Sequence, residues 1–313
     1  MNSKATIAVM VVLAAAAAGC GESDVKRSVD ARTEVLHHFS AEAPVVGLVA
    51  PRPAGDLIDL DEAAAEVPIW ADLRSKVQAP LRAAGLSPAD LRRLTRPQEQ
   101  IEGIAASALA FGAPTPTDLE AGQSLLVLAT DQDELFEELL AKGVDSGDLQ
   151  PAGSLDEATL YSNSIASYAE RDGVLVSAPS LGVVRSAVAR RDGDSDEQLD
   201  EDVVNAALGK LQERGPLAVY GQAPQLLGEP DVERLFSDAS WIESAADAAA
   251  SVQAVAGTAE IEVVVNLERD LEPAERPLEQ EPQPLRLAVS ALGSLNGVGS
   301  ASSDEIRLQL TAP

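Results

Sequence analysis

Apolar positions fall in short runs along this chain, and the spacing inside each run predicts an element. Pro44-Val45-Val46-Gly47-Leu48-Val49 is a compact apolar run closed by Pro51 and Pro53, which reads as a first strand. Ile69, Trp70, Leu73, Val77 and Leu81 recur at helical spacing, and Pro80 is placed to break or kink that helix. Ser87-Pro88-Ala89-Asp90 has the form of a helix start, with Leu91 and Leu94 following on one face. Residues 104–111 and 124–129 are apolar runs of strand length, separated by a loop that carries Pro114 and Pro116. From Asp131 a helix is expected, with Glu134 as a capping-box partner, a stripe of Leu135, Phe136, Leu139 and Leu140, and Gly143 as its stop.

Short strands are expected at 159–162, 165–170 and 174–177, the last two joined through Asp172-Gly173, a strong hairpin dipeptide. Pro179 then opens a helix with the stripe Leu181, Val184 and Val188, and Arg190 and Arg191 suit its C-terminal end. Residues 192–202 form an acidic connector into a helix carrying Val203, Val204, Ala207, Leu208 and Leu211, and 217–221 reads as a strand. The alanines of 242–256 favour helix, whereas the alternation of Ala246, Ala248, Ala250, Val252 and Ala254 favours strand. Gly257-Thr258 followed by alternating Ile261, Val263, Val265 and Leu267 tips the reading to a long hairpin. The stretch 272–284, with four prolines and several glutamates, is a linker or surface loop, and 285–292 and 305–310 are closing strands.

Strands in adjacent runs with helices between the groups predict an α+β fold, a mainly antiparallel sheet with helices packed on one face. The pattern also admits two similar lobes. Residues 45–53 and 217–224 are both strand-then-proline, each followed by helical sequence and two long strand candidates. The expected organisation is therefore an N-terminal lobe over 44–214 and a C-terminal lobe over 215–313.

The first twenty residues set a different picture. Lys4 is the sole charge there, residues 5–18 are apolar apart from Thr6, and small residues lead into Cys20, the one cysteine of the chain. That is the order of a secretory signal, and the apolar run is shorter than the roughly 20 residues of a spanning helix. Ala17-Ala18-Gly19-Cys20 resembles the lipobox of bacterial lipoproteins, with Ala17 where that family prefers leucine. The resemblance implies a diacylglycerol on the Cys20 sulfur and cleavage just before it. The alternative is ordinary cleavage within 14–19, leaving a free thiol. Residues 1–19 are then the signal and 20–43 a polar tether, although Val25, Val29, Val35, Leu36 and Phe39 could support a short helix within it.

Removing residues 1–19 from the 313 leaves 294, enough for one large domain or two smaller lobes. Aromatics make up 3% of the chain, so the core must be built of Leu, Val, Ile and Ala. The formal net charge is −28, and −29 once Lys4 leaves with the signal. So acidic a chain is unsuited to nucleic acid, where cationic contacts to phosphate supply most of the affinity, and to anionic lipid headgroups. Cys20 would then carry membrane attachment alone.

The order of elements from about Phe39 to Gly228 resembles a domain-of-unknown-function family of secreted and membrane-anchored bacterial proteins, frequent in actinobacteria. The matching stretches are Phe39-Ser40-Ala41-Glu42-Ala43-Pro44, Leu125-Leu126-Val127-Leu128-Ala129-Thr130-Asp131, Asp172-Gly173-Val174-Leu175-Val176-Ser177 and Leu199-Asp200-Glu201-Asp202. The resemblance implies fold and location, and no activity.

Candidate chemistry is thin. A Ser-His-Asp or Cys-His site needs a positioned imidazole, and the two histidines, His37 and His38, stand at the end of the expected tether. Asp192, Asp194 and Asp196 match the first ligand spacings of a calcium loop, but Glu197 and Val203 stand where that loop needs Gly and Glu. With 51 acidic residues a close carboxylate pair is expected by abundance, and Trp70 and Trp241 are few platforms for a sugar. No catalytic, metal or cofactor site is expected. The reading is a lipid-anchored extracytoplasmic protein that binds an envelope protein or a small ligand. The alternatives are a carboxylate-dependent hydrolase acting on envelope material and a purely structural surface protein.

Overall fold

The computed structural model describes residues 31–49, 106–130, 133–212, 217–222, 240–255, 258–289 and 293–312. The signal segment, Cys20 and the helices expected over 69–81 and after Ser87 lie outside the described residues.

The chain enters through a short helix, α1 (31–36), and a turn. Then come β1 (Val45–Val49), β2 (Ala106–Ala113), α2 (Pro116–Glu120), β3 (Leu125–Thr130) and α3 (Asp133–Ser146). Four strands follow: β4 (Gln150–Leu155), β5 (Ala158–Ser162), β6 (Ser167–Arg171) and β7 (Val174–Ala178). Helices α4 (Leu181–Arg191) and α5 (Glu201–Leu208) lead to β8 (Leu217–Gln222), β9 (Ala245–Val255), β10 (Thr258–Leu267), β11 (Gln283–Val289), β12 (Gly293–Ala301) and β13 (Glu305–Ala312).

These strands form one sheet in the order β11-β12-β13-β10-β9-β8-β1-β2-β3-β7-β6-β5-β4, and every pairing in it is antiparallel. The α+β, mainly antiparallel architecture is therefore present. The boundary expected at 214/215 falls between α5 and β8, and pairing runs unbroken across it, because β8 bonds directly to β1.

Packing differs from expectation in its faces. Alternate residues of a strand point to opposite faces of its sheet. Val127, Ala129, Leu160, Ala169, Val174 and Val176 join one core together with residues of α1, α4 and α5. Their strand neighbours Leu128, Tyr161, Tyr168 and Leu175 join a second core with Phe136 and Leu140 of α3. Helices thus cover both faces of the N-terminal half rather than one, and β7 is buried along its whole length. The first core continues across β1 and β8 to Ala249 and Val264.

Local details follow the chemistry of the sequence. Asp172 and Gly173 both have positive φ, as a type I′ hairpin turn requires. Ser180 caps α4 by accepting from the Val183 amide, and Asp200 caps α5 by accepting from Asp202. Gly143 does not stop α3. The helix runs on to Gly147, whose φ of 81° takes the left-handed turn, while the Gly143 carbonyl accepts the Asp148 and Leu149 amides. The ambiguous alanine-rich segment is strand β9, paired with β10 over ten positions. Two strands were not expected. β4 is mostly exposed and carries Pro151, Gly153 and a register shift, so it lacks an apolar alternation. β12 is rich in Gly and Ser, and a Cβ on Gly297 would lie 1.9 Å from the Gln309 carbonyl oxygen.

Gly47, in the middle of β1, pairs with Phe111 on one side and Val219 on the other. A Cβ at Gly47 would stand 2.2 Å from the Phe111 ring. Gly47→Ala is expected to destabilise the protein by about 1–3 kcal/mol in urea denaturation through overpacking. In a Phe111→Leu background the same step should cost much less, because the ring is the obstacle. An equal cost in both backgrounds would show that the clash lies elsewhere.

Candidate functional site

The tether expected over 20–43 is corrected by its described part. Val35, Leu36, Phe39 and Ala43 are fully buried, the first two from the last turn of α1 and the others from the turn that follows it. The segment is clamped by α4 and the chain that follows it. Arg190 donates to the His38 carbonyl at 2.7 Å, Leu199 N donates to Phe39 O at 3.0 Å, Ala41 N donates to Glu197 O, and Ser40 N donates to Pro114 O. Gln198, itself buried, donates from its side-chain amide to the carbonyls of Arg190 and Arg191 at the end of α4.

His38 therefore stands in the core and not at the edge of a tether. Its Nδ1 lies 3.2 Å from the Ala187 carbonyl of α4, so that nitrogen carries the proton and donates. Its Nε2 is buried and has no hydrogen-bond partner among the described residues. That nitrogen's ring lines a cavity of about 20 Å³ together with Glu34, Arg171, Val176, Val188 and Arg191. Such a space has room for one water molecule and no substrate. Burial pushes the His38 imidazole down to about 4, against the opposing pull of Glu34 and of the bond to Ala187.

Two arginines organise the charge around this cavity. Arg171 reaches Asp192 at 2.6 Å, Glu157 at 3.3 Å and Asp172 at 3.3 Å, and also donates to the Asp156 carbonyl. Arg191 holds Glu34 at 2.7 Å and the other carboxylate oxygen of Asp192 at 2.7 Å. Burial pushes the Asp192 carboxyl up, but bonds from Arg191 and Arg171 outweigh it and hold that group below its ordinary value. Asp192, the first position of the run that resembled a calcium loop, is thus engaged by cations of the protein itself. Among the described residues no group of three or more His, Cys, Asp or Glu is disposed to hold a metal ion.

On the opposite face a second titratable group is perturbed. Glu170 is buried, and burial raises its carboxyl above the ordinary value, with the charges of Glu137 and Asp172 adding and a bond from the Gly173 amide opposing. Beside it, burial and then the charges of Glu170 and Glu137 raise the Tyr161 phenol. Burial pushes the Tyr168 phenol up to about 12. This is a place where acids converge, as the abundance of carboxylates suggested. At the far end of the sheet, the loop after β10 carries a shallow groove of about 360 Å³ lined by Pro273, Arg276, Pro277 and Leu278 among others. Next to it Arg269 grips both oxygens of Glu275. The expected lipidation residue, Cys20, lies outside the described residues.

No protein-family model matches the chain, and no curated protein matches it. Among solved structures, crystal form I of TP0453 aligns with a TM-score of 0.46 and 10% identity over 88% of this chain and 92% of that one. Crystal form IV aligns with a TM-score of 0.45 and 11% identity over 90% and 94%. Likeness at this level carries no functional argument.

A raised carboxyl means that the folded protein binds a proton more readily than the unfolded chain. Glu170 then opposes folding above the ordinary carboxylate range, and this penalty disappears as pH falls through it. Glu170→Gln is expected to raise the melting temperature near pH 7. The gain over wild type should vanish below about pH 4. A melting temperature that falls equally at both pH values would show that the carboxylate is needed as an acceptor.

Proposed function

We propose that this chain is an extracytoplasmic envelope protein, anchored to a membrane by lipid on Cys20, that acts by binding an envelope protein or a small ligand. The observation that carries this reading is the position of the clamp. Residue 31 already belongs to α1, and ten residues separate it from Cys20. Fully extended, that connection reaches at most about 40 Å. A lipid on Cys20 would hold the acidic sheet close to the bilayer surface. One acyl chain binds marginally, whereas two or more hold stably. Binding is favoured over catalysis by the state of the imidazole. His38 is enclosed in a cavity of about 20 Å³, and the neighbouring Arg171 and Arg191 are committed to carboxylates.

The sheet is also read as two similar halves. In β1-β2-β3-β7-β6-β5 and in β8-β9-β10-β13-β12-β11, the third strand is followed by a crossover and a three-strand meander. In both, the last strand of the meander returns to pair with the third. The halves join through β1 and β8, and β4 is an addition to the first. The resemblance to secreted and membrane-anchored actinobacterial proteins points to the same location.

A second reading, a carboxylate-dependent hydrolase of envelope material, has one observation in its favour, the raised Glu170 near Glu137. An envelope-hydrolysing activity lost in Glu170→Gln would favour it over binding. For the leading reading, Cys20→Ser should move the protein from the membrane fraction to the soluble fraction. Unchanged retention in the membrane fraction would sink the anchor.

A further inference from the structure

We propose that His38 is an acid-operated latch, and that a proton on its free nitrogen releases residues 31–43 from α4. The proposal goes beyond the anchored-binding reading, because it stands on the clamp whether or not Cys20 carries lipid.

The geometry of the two ring nitrogens makes the argument. Nδ1 is already used by the Ala187 carbonyl. A second proton must go to Nε2, which is buried and has no partner among the described residues. The new N–H would need an acceptor, and the imidazolium a countercharge. The one water that the cavity has room for can accept that bond but brings no countercharge, and a buried charge without a countercharge carries a large desolvation penalty. The groups facing the ring do not supply the countercharge freely. From its own segment come Glu34 and His37, and the Glu34 carboxylate is already held by Arg191. From α4 come Arg191, whose charge opposes a second cation, and Arg190, bonded to the His38 carbonyl. From β6 comes Arg171, another cation lining the same cavity; the Glu170 side chain, next to it in the strand, points to the opposite face with Tyr161. With the segment undocked, water solvates both nitrogens.

The direction follows from linkage. The docked ring sits at about 4, and a solvated imidazole near 6.5. Docking is therefore unaffected above about pH 6.5 and is weakened progressively as pH falls towards 4. The response belongs to 31–43, because the sheet has its own hydrogen-bond network and local opening does not require global unfolding.

Hydrogen exchange on the intact protein tests this, with intrinsic rates corrected for pH. Between about pH 7 and about pH 4.5, protection of amides in 33–43 relative to those of β3 and β7 should fall on the order of fiftyfold. His38→Asn, whose amide can still donate towards Ala187 but takes no proton, should keep the ratio within about twofold. Equal loss in both proteins, or no loss in wild type, overturns the latch. Should His38→Asn not fold, the ring of His38 can be titrated by NMR in a His37→Asn protein. A titration well below pH 6 that coincides with loss of the 31–43 amide signals supports the latch. A titration near 6.5 with those signals intact overturns it.

Discussion

Strand β1 has five residues, and both halves of the sheet hydrogen-bond to it. Its partners come from 109–113 on one side and 217–221 on the other, so the join depends on a short strand whose neighbours lie far apart in sequence. Such non-local pairing brings little local reward before the chain closes, and it needs strong packing to hold. The packing is there on both faces. Val46 and Leu48 enter the core that runs towards α4 and α5, and Gly47 lets the Phe111 ring close over the opposite face. Immediately before β1 lies the clamped segment 31–43. The clamp on that segment therefore lies directly beside the strand that joins the halves, which is held by its own pairing to β2 and β8.

The two halves use the sheet differently. In the N-terminal half both faces are buried: β7 is apolar but for Ser177 and buried throughout, and β6 buries Ser167 to Glu170 although only Tyr168 and Ala169 of it are apolar. In β10 burial is graded along the strand, with Glu260, Glu262 and Val263 partly exposed and Val264, Val265 and Asn266 buried. Arg307 of β13 sits among those acids, pairing with Glu262 and Glu305, and donates to the Lys210 carbonyl just after α5. The Gln212 amide in turn donates to Glu262. The connection between the halves is thus tied to the outer sheet by charge-assisted bonds, while its Leu211 is buried in the first core.

Much of this was legible in the sequence, and the exceptions share causes. In Leu181–Arg191 and Thr258–Leu267 the apolar spacing made element and type readable, and in Val174–Ala178 a short apolar run after a hairpin dipeptide did so. β4 and β12 were unreadable because an edge strand carrying Pro151 and a glycine-rich strand packed close to its neighbour need no apolar alternation. The opposite-face position of α3 was unreadable because periodicity gives a helix's own buried stripe and not the side of the sheet it meets. At the candidate site, the apolar spacing of Val35, Leu36 and Phe39 was visible, but the flanking charges Arg32 and Glu34 made the segment look solvated. What removes them from that reading is tertiary, since Arg191 pairs with Glu34 from 157 residues away.

A buried histidine in such a clamp needs a reason that packing alone does not give. At position 38 an apolar side chain could fill the space between Val176 and Val188 without leaving a nitrogen unpartnered. The imidazole gains one bond, to Ala187, and a neutral hydrogen bond contributes about 1 kcal/mol net. An orphaned buried acceptor costs a comparable amount or more, so in its neutral state the ring is close to break-even. Docking of 31–43 is itself a balance between buried apolar side chains and the entropy of ordering the backbone, terms of similar size. A group that contributes little when neutral, and opposes docking strongly when charged, has its largest effect on the pH dependence of that balance and only a small one on its value near neutrality.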